Sequence, residues 1–290
     1  MKIGRRLGEG GRIRRGLEGV APCRQGTGRF VCEAEGARTA ELYENAQVYD
    51  VLFGAAVSQA ELDFYATLIR QFGEPVLELA CGTGRIIMAL AQSGWEIHGL
   101  DLSSAMIERA RQKAQTAGMD IPFHCADMRN FAIGRRFGFI FIPCQSFQHL
   151  YARRDVEECL AAVRSHLLPS GAFLIQVFNP YPPLLAAEPT RRLRTSREYY
   201  EDQWTGERYY AEYQNRYDAA SQILHSTYYY HTDADPTEKN FQLAMRQFFP
   251  QELDALLEYN GWKIRAKYGD EHCTPFAEKP YYQNVLCGLK

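Results

Sequence analysis

Val76-Leu77-Glu78-Leu79-Ala80-Cys81-Gly82-Thr83-Gly84-Arg85-Ile86 is the stretch whose reading decides the fold. Apolar residues up to Leu79 read as a buried strand, the small residues and glycines after it as a tight turn, and Ile86 to Ala91 as the start of a helix. Glycines let backbone approach a ligand closely, and the unpaired N–H groups at the start of the helix favour negative charge. The expected ligand therefore carries an anionic group. A purely structural strand-to-helix turn has the same local pattern, so the spacing to the next acid matters. Ile97-His98-Gly99-Leu100-Asp101 reads as a second short strand, and its terminal carboxylate follows the turn by about 20 residues, the spacing at which an adjacent parallel strand offers an acid to a ribose diol. Together the two features imply a nucleoside. Asp101 could instead cap the helix that begins at Leu102, but Ser103 or Ser104 can take that role.

Working outward, strands and helices alternate. A third strand is expected over Ile121 to Met128, with Asp127 at its exit able to accept from an exocyclic amine and with Met128 and Met106 able to supply apolar faces to a base. Phe137 to Cys144 is the most hydrophobic strand, as a central strand covered on both faces should be. A helix from Arg153 to Leu168 and a fifth strand from Ala172 to Phe178 follow. This alternation predicts an α/β fold with a doubly wound, mostly parallel sheet whose ligand lies outside the carboxyl ends of the strands.

Between Pro180 and Phe249 the pattern changes. Nine of the 18 tyrosines fall from Tyr199 to Tyr230, alternating with charged residues, which predicts about four antiparallel strands with one face wet. A helix from Pro250 to Tyr259 and strands at Trp262–Tyr268 and Gln283–Leu289 complete the chain. On the amino-terminal side, residues 41–53 and 59–72 read as amphipathic helices. The expected organisation is a Gly/Arg-rich disordered tail over 1–38, a core over 39–180 and 250–290, and an inserted sheet over 181–249 that overhangs the crevice.

The 290 residues, 46% hydrophobic, suffice for a full core, and a net charge of -2 gives no global attraction to nucleic acid or anionic membrane. The eight cysteines form no CxxC pair and no Cys/His metal spacing, so no metal site is expected, and free thiols in a reducing cytoplasm are. No run of 18 apolar residues exists, and the amino terminus lacks the apolar segment of a signal peptide.

From Tyr43 onward the chain resembles the class I S-adenosylmethionine-dependent methyltransferases. Leu77 to Gly84 is similar to their first motif, with Ala80 where a glycine is usual, Asp101 matches the acid that binds the cofactor ribose, and Asp127-Met128 matches the pair beside its adenine. The insertion, together with Arg246-Gln247-Phe248-Phe249-Pro250 and Trp262 to Asp270, resembles small-molecule enzymes such as bacterial sugar N-methyltransferases and glycine N-methyltransferase-like proteins. The resemblance implies a Rossmann-like fold with a seven-stranded sheet, S-adenosylmethionine as cofactor, and a methyl acceptor that is a small organic molecule. It implies cofactor contacts at Tyr49, Ala80, Gly82, Asp101, Leu102, Met106, Asp127, Met128 and Cys144, with Tyr49 as a lid over the methyl donor. A homodimer is compatible with it.

The sulfonium methyl is already activated, so transfer depends on desolvation, orientation and removal of one proton. His149 matches a histidine that serves as base in sugar N-methyltransferases and titrates in the useful range, which makes it the candidate catalytic residue. Arg85 is expected either to pair with the cofactor carboxylate or to be solvated. Two other readings stay open: a non-catalytic S-adenosylmethionine-binding module, and a nucleic-acid methyltransferase, for which Asn179-Pro180-Tyr181-Pro182 has the wrong order and follows the wrong strand.

Overall fold

The computed structural model describes residues 41–186, 188–195, 197–277 and 280–290; the expected tail over 1–38 lies outside them. The hydrophobic run at the fourth strand and the apolar stretch at the first form the centre of the sheet. β1 (Val76–Leu79) and β4 (Phe137–Ile142) are buried along their whole length. They pair in parallel, Val76 opposite Phe139, and β2 (Ile97–Asp101), β3 (Phe123–Cys125) and β5 (Leu167–Phe178) extend the parallel array. β11 (Trp262–Tyr268) and β12 (Tyr282–Leu289) close it, with β12 antiparallel to both neighbours, giving a seven-stranded sheet in the order β11-β12-β5-β4-β1-β2-β3.

Because side chains alternate across a strand, β4 feeds two cores. Phe139 and Phe141 pack with α2 (Gln59–Phe72), α3 (Arg85–Gln92) and α4 (Ser104–Thr116) on one face, while Ile140 and Ile142 pack with α5 (Arg153–His166) and α6 (Pro250–Tyr259) on the other. Trp262 has no exposed surface in the second core. The expected helix to Leu168 stops at His166 instead, since Leu167 is extended (φ -89, ψ 139) and pairs with Phe137 ahead of a register shift. The third strand is shorter than expected, Phe123–Cys125.

The insertion forms a separate antiparallel sheet, in which β8 (Arg208–Asp218), β9 (Ile223–Thr232) and β10 (Lys239–Arg246) are long, and β6 (Leu193–Arg194) and β7 (Tyr200–Glu201) are two-residue strands on β8. One face of this sheet is an aromatic ladder. Tyr213 stacks on Tyr228 at 5.7 Å and Tyr228 on Phe241 at 5.1 Å. That face packs on α1 (Ala46–Phe53), in the amino-terminal region expected to be helical, through Val48, Tyr49 and Phe53, and on Leu42 just before it. Helix α1 thus lies between the two sheets.

Candidate active site

The carboxyl ends of β1, β2, β3 and β4 converge as the spacing predicts. After β1 the chain turns through Ala80 (φ 55), Gly82 (φ 54) and Gly84 (φ 86), all left-handed, and Gly84 is the first flanking residue of α3 without any side-chain cap. Ala80 therefore adopts a conformation that suits glycine better, the backbone cost of the departure noted at that position. A Cβ on Gly84 would come within 3.3 Å of the Ala110 Cβ, so the turn is also pressed against α4.

Asp101 at the end of β2 ties two turns together. Its Oδ2 accepts from the Gly82 N–H at 2.8 Å and its Oδ1 from the Ser103 N–H at 2.9 Å, while Ser103 itself caps α4 by accepting from the Met106 N–H at 3.2 Å. The cap is thus Ser103, and Asp101 keeps lone pairs for a ligand. Burial pushes its carboxyl above the usual range, opposed by the N–H groups of Ser103, Gly82 and Leu102. Leu102, next along, is 68% exposed, an apolar side chain open at the strand exit.

Glu78 is a functional candidate that the sequence reading left without a role. It is 2% exposed within β1, its Oε2 has no hydrogen-bond partner among the described residues, and burial raises its proton affinity strongly against the opposing field of Arg85. A buried acceptor of this kind calls for a donor, and a cationic one is the best match. Its signal in the sequence was a carboxylate inside an otherwise apolar strand.

Three expected contacts are placed differently. Met106 has no exposed surface, because the first turn of α4 directs it inward, and it presents no face to a ligand. Arg85 is mostly buried and already paired: it forms a two-point ion pair with Glu61 of α2, both contacts at 3.0 Å, and its Nη2 also donates to Cys144 Sγ at 3.0 Å. Asp127, at the exit of β3, is gripped by Arg129, whose Nε and Nη2 reach both carboxylate oxygens at 2.6–3.1 Å. Burial would raise the Asp127 carboxyl, but the Arg129 hydrogen bonds outweigh it and hold it below the usual range. Met128 is half-buried against the core on the α5 side.

At the exit of β4, Cys144 (φ 51) and Gln145 (φ 60) make a left-handed pair, pinned by Gln176 Oε1, which accepts from the Cys144 N–H at 3.0 Å and from Gln145 Nε2 at 3.2 Å. Cys144 is open to the crevice on one side and enclosed on the others, and burial pushes its thiol up. Tyr49 on α1 lies beside the turn at Gly82. Its hydroxyl would stand 3.5 Å from a Cβ placed on Gly82, and Tyr43 lies beside it with ring centroids 5.8 Å apart.

His149 lies in a single 3-10 turn (Ser146–His149) after β4, and both of its ring nitrogens are engaged. Nε2 faces the Tyr43 hydroxyl at 2.8 Å, and Nδ1 faces the Ala244 carbonyl of β10 at 3.1 Å. The carbonyl can only accept, so Nδ1 carries the proton and Nε2 accepts from Tyr43. Burial lowers the imidazole to about 4. The Tyr43 hydroxyl thus occupies the lone pair of His149, the residue expected as proton acceptor. Tyr43, at the end of the helical segment 41–44, was missed because its partner is 106 residues away.

Comparison with known proteins agrees with this geometry. Residues 76–171 match a family described as "Methyltransferase domain". Residues 76–171 thus match a methyltransferase domain, set in a seven-stranded, mostly parallel sheet that stands beside an antiparallel second sheet. Among its relatives, the dTDP-3-amino-3,6-dideoxy-alpha-D-glucopyranose N,N-dimethyltransferase of Streptomyces fradiae is 31% identical over 139 residues, 46% of this chain and 52% of that protein. The chain spans about half the length of the curated relatives it matches. Two solved structures share the fold across most of the chain. The CcbJ methyltransferase from Streptomyces caelestis is 22% identical with a TM-score of 0.71, covering 86% of this chain and 98% of that one. An S-adenosylmethionine-dependent methyltransferase from Clostridium acetobutylicum is 20% identical with a TM-score of 0.70, covering 84% and 97%.

Proposed function

We propose that the protein is an S-adenosylmethionine-dependent methyltransferase that methylates a nitrogen or oxygen of a small organic molecule. The observation that carries this reading is the cradle itself: a left-handed turn opening a helix, Asp101 cross-linking it to the next strand, and an unpartnered buried oxygen on Glu78 beneath it. These residues fit a ligand with hydroxyls for Asp101, an apolar ring for Leu102, and an ammonium group for Glu78. To the same site we assign Tyr49, Ala80, Gly82, Met128 and Cys144, with Asp127 at the exit of β3, its carboxylate held by Arg129.

When bound, the cofactor supplies an activated methyl group. The chain orients the acceptor and excludes water. Tyr43 holds its hydroxyl at the crevice with His149 behind it, so a proton reaching the tyrosine oxygen can be matched by one moving to Nε2. The tyrosine ladder of the second sheet supports an acceptor with an apolar body, such as an amino sugar or a hydroxylated aromatic. The Asn179 amide donates to the Pro280 carbonyl at 3.3 Å, an arrangement that favours a structural role over gripping a flipped base. Among the described residues no helix is long and apolar enough to cross a membrane, and six cysteines are free thiols, which supports a reducing, cytoplasmic setting.

Calorimetric titration with S-adenosylmethionine, S-adenosylhomocysteine and NAD tests the reading. Micromolar binding of the sulfur ligands without NAD binding is expected, followed by turnover with amino sugars or phenols. A folded protein that binds neither sulfur ligand would overturn it, and binding without turnover on any acceptor would favour the sensor alternative.

A further inference from the structure

Helix α1 carries one charged side chain, Asp50, among apolar neighbours, and its carboxylate collects three donors. Oδ1 accepts from Thr83 Oγ1 at 2.6 Å and from Lys113 Nζ at 2.6 Å, and Oδ2 accepts from Arg109 Nε at 3.0 Å. Lys113 Nζ also donates to Thr83 Oγ1 at 3.1 Å. Thr83 stands between Gly82 and Gly84 in the cradle, 1% exposed, while Arg109 and Lys113 come from α4. The Asp50 side chain is only 14% exposed, so these pairs are shielded from bulk water and from salt. One turn earlier, Gln47 Nε2 donates to Asp202 Oδ2 at 2.8 Å in the second sheet's turn, and the Arg109 guanidinium lies 5.5 Å over the Trp204 ring. Gln47, Arg109, Asp202 and Trp204 line a cavity of about 300 Å³ there. The polar anchorage of α1 to the cradle is thus concentrated at Asp50, directly after Tyr49 in sequence.

From this geometry we infer that Asp50 is a positioning residue: it seats Tyr49 over the cradle and so sets how long a bound cofactor is retained. The inference rests on the methyltransferase reading. Loss of the carboxylate charge leaves an ammonium and a guanidinium side by side with a weak acceptor, which favours release of α1 and removal of the tyrosine roof. The acceptor-side sheet moves with α1 through Gln47, so a displaced helix also opens the substrate side.

Stopped-flow measurement of S-adenosylhomocysteine dissociation tests this. Asp50→Asn is expected to release the ligand at least tenfold faster than the native chain, Asp50→Glu to recover most of the difference, and Lys113→Gln, which keeps the Arg109 pair and guards against misfolding of the first variant, to show an intermediate rate. Release rates within twofold of the native chain in the folded Asn and Gln variants, even with a lowered melting temperature, would make Asp50 purely structural and overturn the inference. A native chain that binds no S-adenosylhomocysteine would fail the methyltransferase reading itself.

Discussion

Asp101 and His149 show how one side chain can be fixed by its neighbours before any ligand arrives. Asp101 spends one lone pair of each oxygen on a backbone N–H, which orients the carboxylate and leaves it acceptor capacity. Asp101→Ala should weaken cofactor binding by about 1–3 kcal/mol, the range for a lost charged hydrogen-bond partner, as read by calorimetry. His149 gives a pH prediction. Its imidazole lies at about 4 in the folded chain and near 6.5 when unfolded, so between these values the unfolded chain binds more protons. The stability that His149 contributes is complete above pH 6.5 and is lost as the pH falls toward 4, about 3 kcal/mol in all. His149→Gln should flatten the acid limb of stability, seen as a smaller drop in urea midpoint between pH 7.5 and 5.

At the scale of elements, β4 and α1 do opposite kinds of work. Strand β4 is central and covered on both faces, and Phe141 packs at a tilt on Tyr65 at 4.7 Å and stacks on Phe139 at 5.5 Å. Phe141→Ala should cost about 3–5 kcal/mol through lost burial and a cavity, whereas Tyr259→Ala, at a position 89% exposed, should stay within about 0.5 kcal/mol. Denaturant unfolding of the two variants separates them. Helix α1 is short, eight residues, and isolated helices of that length are marginal in water. Its place depends on contacts with the second sheet, the cradle turn and α4.

For the whole molecule, α1 joins the cradle through Asp50 and the second sheet through Gln47, so a ligand bound under Tyr49 would tie the core to the second sheet. S-adenosylhomocysteine at a hundred times its dissociation constant should stabilise the folded chain by about 2.7 kcal/mol, and NAD by nothing, measurable as a shift in melting temperature. The sequence by itself determined the order of the elements, the doubly wound sheet, the cradle and the acid at Asp101, because hydrophobic period, glycine turns and strand spacing are local properties that the chain carries within some 20 residues. It also marked the tyrosine-rich stretch as a separate antiparallel sheet. Only the tertiary structure decided that Arg85 belongs to Glu61 and Cys144, that Met106 points inward, that His149 is occupied by Tyr43, and that Asp50 fastens α1 to Thr83 and α4. Most of these pairings join residues 24 to 106 positions apart, and the direction of Met106 is likewise set by how α4 packs. Which long side chain meets which partner is set by how the packed elements align in space, a quantity that no local pattern encodes.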